Sequence, residues 1–311
     1  MLARRTLAIA AAGLTAALLG ACGSDGAGGA EDTRTAVATT TQVADLARAV
    51  AGERAEVRQI LRPNSDPHDY EPRPSDVKAV AGAAVVLRSG GGLDDWLGGV
   101  LDNAGSDAQA TTLIDAVRTR GRDREVDPHW WQDPRNAIAV VRRIRDVLVA
   151  ADPGGRGAYT ANAAGYLTRL RGLDAAIARC MRSIPAERRR LVTDHDALGP
   201  YAERYDIDVI GTVIPGRTTQ AQASAGEVVR LARTIRSTGV RTIFPQGSGN
   251  AKLVRAVARE SGAAVGPALY ADTLGPTGSP GATYTGSLRF NTRALAAGFG
   301  ARTGAGSACQ L

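Results

Sequence analysis

The stretch GAYTANAAGYLTRLRGLDAAIARCMRSI, Gly157 to Ile184, decides how the rest of the chain is read. Tyr159, Ala163, Tyr166, Leu170, Leu173, Ile177 and Met181 recur every three or four residues, which puts one apolar stripe on a long helix. Pro153 precedes the stretch and Pro185 stops it. At about 1.5 Å per residue such a helix runs on the order of 40 Å. That is too long for a crossover inside one small lobe, and it predicts a spine joining two.

The flanks agree. On the N-terminal side, Thr35–Thr41 reads as a strand, Gln42–Val50 as a helix, Val57–Leu61 as a strand, Asp76–Ala84 as a helix and Ala84–Gly90 as a strand closed by glycines. On the C-terminal side, Arg189–Asp194, Asp208–Ile214, Val240–Gln246 and Ala264–Asp272 read as strands, with helical spacing over Ser224–Thr238 and Ala251–Ser261. Short apolar runs alternating with amphipathic stretches predict parallel sheets flanked by helices. The fold class is therefore α/β: an N-terminal lobe over 36–152, a linking helix over 153–186 and a C-terminal lobe over 187–311.

The first 22 residues stand outside that fold. Arg4 and Arg5 precede the apolar run Leu7–Ala21, which is short for a bilayer span and ends in small residues, as a secretory signal does. Leu19-Gly20-Ala21-Cys22 resembles a lipobox, so Cys22 is expected to become a lipidated N-terminus. Residues 23–35 are Gly-rich and polar and read as a flexible tether. These features predict an extracytoplasmic protein anchored to a membrane, on the periplasmic side or the cell surface. Cys180 and Cys309 could form a disulfide in such a compartment or stay as two thiols. The net charge of +7 is carried almost wholly by arginine scattered among acids. No basic stripe is interleaved with aromatics, so nucleic acid is not an expected partner.

Only three histidines occur in 311 residues. His68 and His129 each sit in the tripeptide Asp-Pro-His, where proline fixes φ and offers the imidazole from a stiff turn. His195 follows the apolar run Leu191-Val192-Thr193, just past the carboxyl end of a predicted strand, where ligands bind in open parallel sheets. Asp272 ends another predicted strand. Neutral imidazoles suit divalent first-row metals, and Asp66, Asp127, Asp194 and Asp196 stand ready to hold the rings. Singly, each histidine could equally be a solvated or core residue, and the wide spacing matches no local metal motif.

Four segments in order, DPHDYEPRPSD (66–76), DPHWWQDPRNA (127–137), TDHDALGPYAERYDIDVIG (193–211) and YADTLG with GATYTGSLRFN (270–291), resemble the zinc/manganese ABC transporter substrate-binding lipoprotein family. The likeness runs from about Val37 to Phe299. It implies two α/β lobes joined by one long helix with a metal site in the cleft between them, and it makes His68, His129, His195 and Asp272 the metal ligands. It also implies a cognate ABC permease and its cytoplasmic ATPase as partners, and a monomeric, non-enzymatic protein. Two departures stand out: Gln246 where many relatives carry glutamate, and no histidine in 118–127, where zinc-specific relatives often have a histidine-rich loop. Three imidazoles and one carboxylate favour Zn²⁺, with Mn²⁺ the alternative. An exported zinc hydrolase using Asp272 as a base, or a structural or adhesive lipoprotein, are the competing classes. Among other residues, Trp130 and Trp131 are expected in the wall and core, Tyr201 and Tyr205 in the second lobe's packing, Arg217 and Gln220 at the cleft rim, and Ser75 as a helix N-cap.

Overall fold

In the computed structural model, residues 34–105, 108–117, 126–247 and 251–311 are described. The expected signal peptide, Cys22, all but the end of the tether, and most of the 118–127 stretch lie outside them. The first sheet takes its strands from β1 (Arg34–Ala38), β2 (Ala55–Gln59), β3 (Val85–Arg88) and β4 (Gln109–Thr112), all parallel, in the order β2-β1-β3-β4. Alternation along β1 and β3 covers both faces. Val37 and Val86 point to one apolar layer with Val80, Leu97 and Val100, whereas Ala36, Ala38, Val85 and Leu87 point to the other. The first layer draws on α2 (Pro74–Ala81) and α3 (Leu97–Ala104). The second draws on α1 (Thr41–Ala51) and α4 (Pro134–Ala151). A sheet buried on both faces needs such near-continuous apolar strands.

The spine is α5, Arg156–Arg182, and every residue of the stripe read from the sequence is buried on it. It packs against α1 and α4 on one side and against α6 (Gly199–Tyr205) and α9 (Tyr284–Gly298) on the other. Its apolar contacts belong to one cluster that reaches both lobes. Cys180 near its end is bonded to Cys309, which staples the C-terminal tail to the spine.

Beyond the spine, β5 (Arg190–Thr193) pairs with β6 (Asp208–Thr212), and β7 (Thr242–Ile243) with β8 (Ala264–Val265), all parallel. A parallel bridge from Thr193 to Phe244 joins the pairs. The resulting order, β6-β5-β7-β8, repeats that of the first sheet. Here too β5 splits its side chains, Leu191 toward the spine and Val192 toward a layer formed with α7 (Ala225–Thr238) and α8 (Ala251–Ser261).

Three local expectations are corrected. The run at Thr39–Thr41 is not strand: Thr40 accepts the Val43 N–H and caps α1, which begins at Thr41. Ser75 is not a cap: α2 begins at Pro74 after Arg73, whose N–H is accepted by Asp76 Oδ2 at 2.7 Å. The strand expected over Ala264–Asp272 stops at Val265, and beyond it only a bridge between Leu269 and Gln246 remains.

Candidate metal centre

Each loop that follows β2, β4, β5 or β8 delivers one donor. After β2 the chain turns through Asn64 in the left-handed region (φ 63°), which asparagine tolerates. It then forms one 3-10 turn over Pro67–Asp69. Asp66 caps that turn, Oδ1 accepting the His68 N–H at 2.9 Å, and so sets where the imidazole projects. Of the loop's other charges, Asp69 and Glu71 are exposed.

After β4, Asp127 Oδ1 lies 2.9 Å from both the backbone nitrogen and Nδ1 of His129. After β5, Asp194 Oδ1 does the same for His195, at 2.8 Å and 3.2 Å. A carboxylate accepts only, so both rings carry their proton on Nδ1 and turn Nε2 inward. Gln246 braces the same place: its N–H donates to Asp194 Oδ2 at 2.9 Å and its amide to the His195 carbonyl at 3.2 Å. Its own Oε1 is buried and has no hydrogen-bond partner among the described residues. The neutral residue thus touches the third histidine's backbone rather than its ring.

The fourth donor is placed by contacts remote in sequence. The Ala271 carbonyl accepts three side-chain donors: Trp131 Nε1 at 2.8 Å, Gln132 Nε2 at 3.0 Å and Gln42 Nε2 at 3.3 Å. Thr273 Oγ1 accepts the Asn64 N–H at 3.1 Å, and Leu274 donates its N–H to Thr41 Oγ1 at 2.8 Å. Asp272 therefore follows β8 in the chain, yet its segment is fastened to the lobe that carries His68 and His129. Sequence reading missed Gln42, Gln132, Thr41 and Thr273 in this role, and only the closeness of Gln132 to His129 hinted at one of them.

The four donors converge. One ligand atom from each of His68, His129, His195 and Asp272 lies within 4.8 Å of the others. The Nε2 atoms of His68 and His129 are 3.4 Å apart. Asp272 Oδ1 is 3.4 Å from His129 Nε2 and 3.9 Å from His68 Nε2, while Oδ2 is 3.3 Å from His195 Nε2. Inward-facing lone pairs at such distances repel unless a proton or a cation lies between them. Four donors around a tetrahedral Zn²⁺ at 2.0–2.1 Å would stand about 3.3 Å from one another. The cluster is deep: His129, His195 and Asp272 are buried, and only His68 keeps some exposure.

Burial lowers the His68 ring to about 4, against the pull of the Asp272 carboxylate. Burial also penalises charge on His129 and His195, but the Asp127, Asp194 and Asp272 carboxylates outweigh it. His129 is raised, and His195 is held up at about 10. Burial would lift Asp272, yet the same two rings keep its carboxyl well below the ordinary range.

Other singled-out residues fall as follows. Trp130 and Trp131 are buried, Trp130 donating to Ser89 Oγ at 3.0 Å. Tyr205 donates to Asp174 of the spine at 2.9 Å, and Tyr201 Oη lies 2.8 Å from Thr292 Oγ1 of α9. Arg217 and Gln220 do lie at the cleft, as described below.

Residues 36–298 match the family described as "Zinc-uptake complex component A periplasmic" (ZnuA). The chain is 31% identical over 282 residues to the manganese-binding lipoprotein MntA of Halalkalibacterium halodurans, covering 89% of this chain and 93% of that protein. It is 28% identical over 268 residues to the iron-binding protein YfeA of Yersinia pestis, covering 85% and 86%. Among solved structures, the periplasmic zinc binding protein TroA from Treponema pallidum superposes with a TM-score of 0.80 at 28% identity, over 87% of this chain and 100% of that one. A Mn-bound periplasmic metal binding protein from candidatus Liberibacter asiaticus shares the fold, with a TM-score of 0.77 at 22% identity over 86% and 100%.

Proposed function

The chain belongs to the family of periplasmic zinc-uptake component A proteins, and on that premise we propose that it captures a divalent transition-metal ion outside the cytoplasm and hands it to an ABC permease driven by a cytoplasmic ATPase. The observation that carries this reading is the convergence of His68, His129, His195 and Asp272 within 4.8 Å. In it the three imidazoles and the carboxylate are the ligands of the cargo. The Leu19–Cys22 lipobox supports tethering of the protein to the membrane through Cys22.

Zn²⁺ is the cargo we favour. The separations of 3.3–3.4 Å between His68 and His129, Asp272 and His129, and Asp272 and His195 suit tetrahedral geometry, and imidazole-rich sites bind Zn²⁺ ahead of Mn²⁺ in the usual affinity order. Relatives are named for manganese and for iron, and a structural neighbour for zinc, so Mn²⁺ is the competitor to test. The same geometry speaks for binding rather than catalysis. Asp272 lies 3.3–3.9 Å from the three Nε2 atoms, which suits a fourth ligand and not a base set back behind a bound water.

The test is elemental analysis of the purified full chain, followed by competitive titration of the metal-free protein with Zn²⁺ and Mn²⁺. One-to-one binding, weakened at least about a hundredfold by His195→Ala or Asp272→Ala, is expected. The reading fails if the metal-free protein takes neither ion. The preference fails if Mn²⁺ displaces Zn²⁺ at equal concentration.

A further inference from the structure

We infer that Arg217, Thr219 and Gln220, in the loop between β6 and α7, are positioning residues that set how long the bound ion is held. This rests on the capture reading above. Thr219 Oγ1 donates to Asp66 Oδ2 at 2.6 Å while Asp66 Oδ1 accepts the His68 N–H. Gln220 Nε2 donates to the His68 carbonyl at 2.7 Å. Arg217 Nε lies 3.6 Å from Asp127 Oδ2 while Asp127 Oδ1 holds the His129 ring. One loop thus reaches the aspartates of both Asp-Pro-His motifs, each through the oxygen that does not hold the histidine.

The base of the loop is bonded to the third ligand's neighbours. Asp196 donates its N–H to the Gly216 carbonyl at 3.0 Å, and Ile214 donates to the Asp194 carbonyl at 2.6 Å. The loop therefore belongs mechanically to the lobe carrying His195, while its grip falls on the lobe carrying His68 and His129. A tilt that draws His195 away also pulls on Asp66 and Asp127. Conversely, while the clasp is engaged, all three imidazoles are held in register. His68, the ligand with some exposure, lies where an ion would leave, and two of the three contacts fall on its carbonyl and on the Asp66 that caps its turn.

The experiment is a chelator chase of Zn²⁺ from the loaded full chain, carried out on wild type, Thr219→Val/Gln220→Ala and Thr219→Ser. Valine keeps the shape of threonine and removes the donor; serine keeps the donor. Release from the double variant is expected to be at least about tenfold faster, since a hydrogen bond to a charged carboxylate is lost. Thr219→Ser should release at close to the wild-type rate, and the metal-free proteins should melt together. Wild-type release from the double variant, or equal acceleration by Thr219→Ser, overturns the clasp. Failure of the wild-type chain to load Zn²⁺ at all overturns instead the capture reading on which it stands.

Discussion

The carboxylates around the inward-facing imidazoles favour a proton where a dication is expected to sit. With Asp272 ionised against them, His129 is raised and His195 is held up at about 10, whereas burial lowers His68 to about 4. A group with a raised pKa keeps its proton at every pH below that value, so an incoming ion must expel it, and affinity falls as pH falls. Because His195 is held up at about 10, the fall begins above neutrality and not only below the ordinary imidazole value. We expect Zn²⁺ affinity to drop by about tenfold per pH unit between about pH 8 and 6, as the His195 proton is displaced. Competition titrations across that range check this, and a flat profile contradicts it. Asp272→Asn should weaken binding and also flatten the profile, because a carboxylate that holds that proton is gone. The aspartates behind the rings are tested separately. Asp127→Asn or Asp194→Asn should cost about tenfold to a hundredfold in metal affinity with the ligands intact, since the amide can present its NH₂ to Nδ1 and disturb the tautomer.

At the scale of elements, the Ala271 carbonyl with its three donors does for Asp272 what a strand would otherwise do. Replacing Gln42 and Gln132 together by alanine should lower metal affinity by about tenfold while far-UV circular dichroism stays unchanged, because two buried hydrogen bonds to one loop are lost and no helix is. This segment also shows where sequence reading stops. Ala268–Asp272 has an apolar strand-like pattern, but its conformation is set by Gln42 and Trp131, 229 and 140 residues away from Ala271. No local pattern encodes such a partner. By contrast, the stripe on α5 was legible because a 3.6-residue period is local, and the His68 and His129 turns were legible because proline acts on its own neighbours. Helices α4 and α9 went unread in the sequence, although Asp133-Pro134, a cap followed by proline at the first helical position, and Thr283, which caps α9, are local start signals. The convergence of the four donors was implied by resemblance alone, since wide spacing carries no distance.

Across the whole molecule, one apolar cluster threads from the first sheet through the spine to α9. Leu170→Ala on the spine should therefore destabilise the entire protein by about 2–5 kcal/mol, read from denaturant unfolding as a single shifted transition. The Cys180–Cys309 bridge closes a loop with a sequence separation of 129. Replacing both cysteines by alanine should cost up to about 5 kcal/mol in the chain-entropy account. Both half-cystines, moreover, are shut away from solvent. A thiol reagent stirred into the native protein would reach neither sulfur of this bridge until the tail peels off the spine, whereas the same reagent present while the polypeptide is still folding would prevent the crosslink from ever closing. The order of addition, not the dose, should decide whether a laboratory preparation carries its staple.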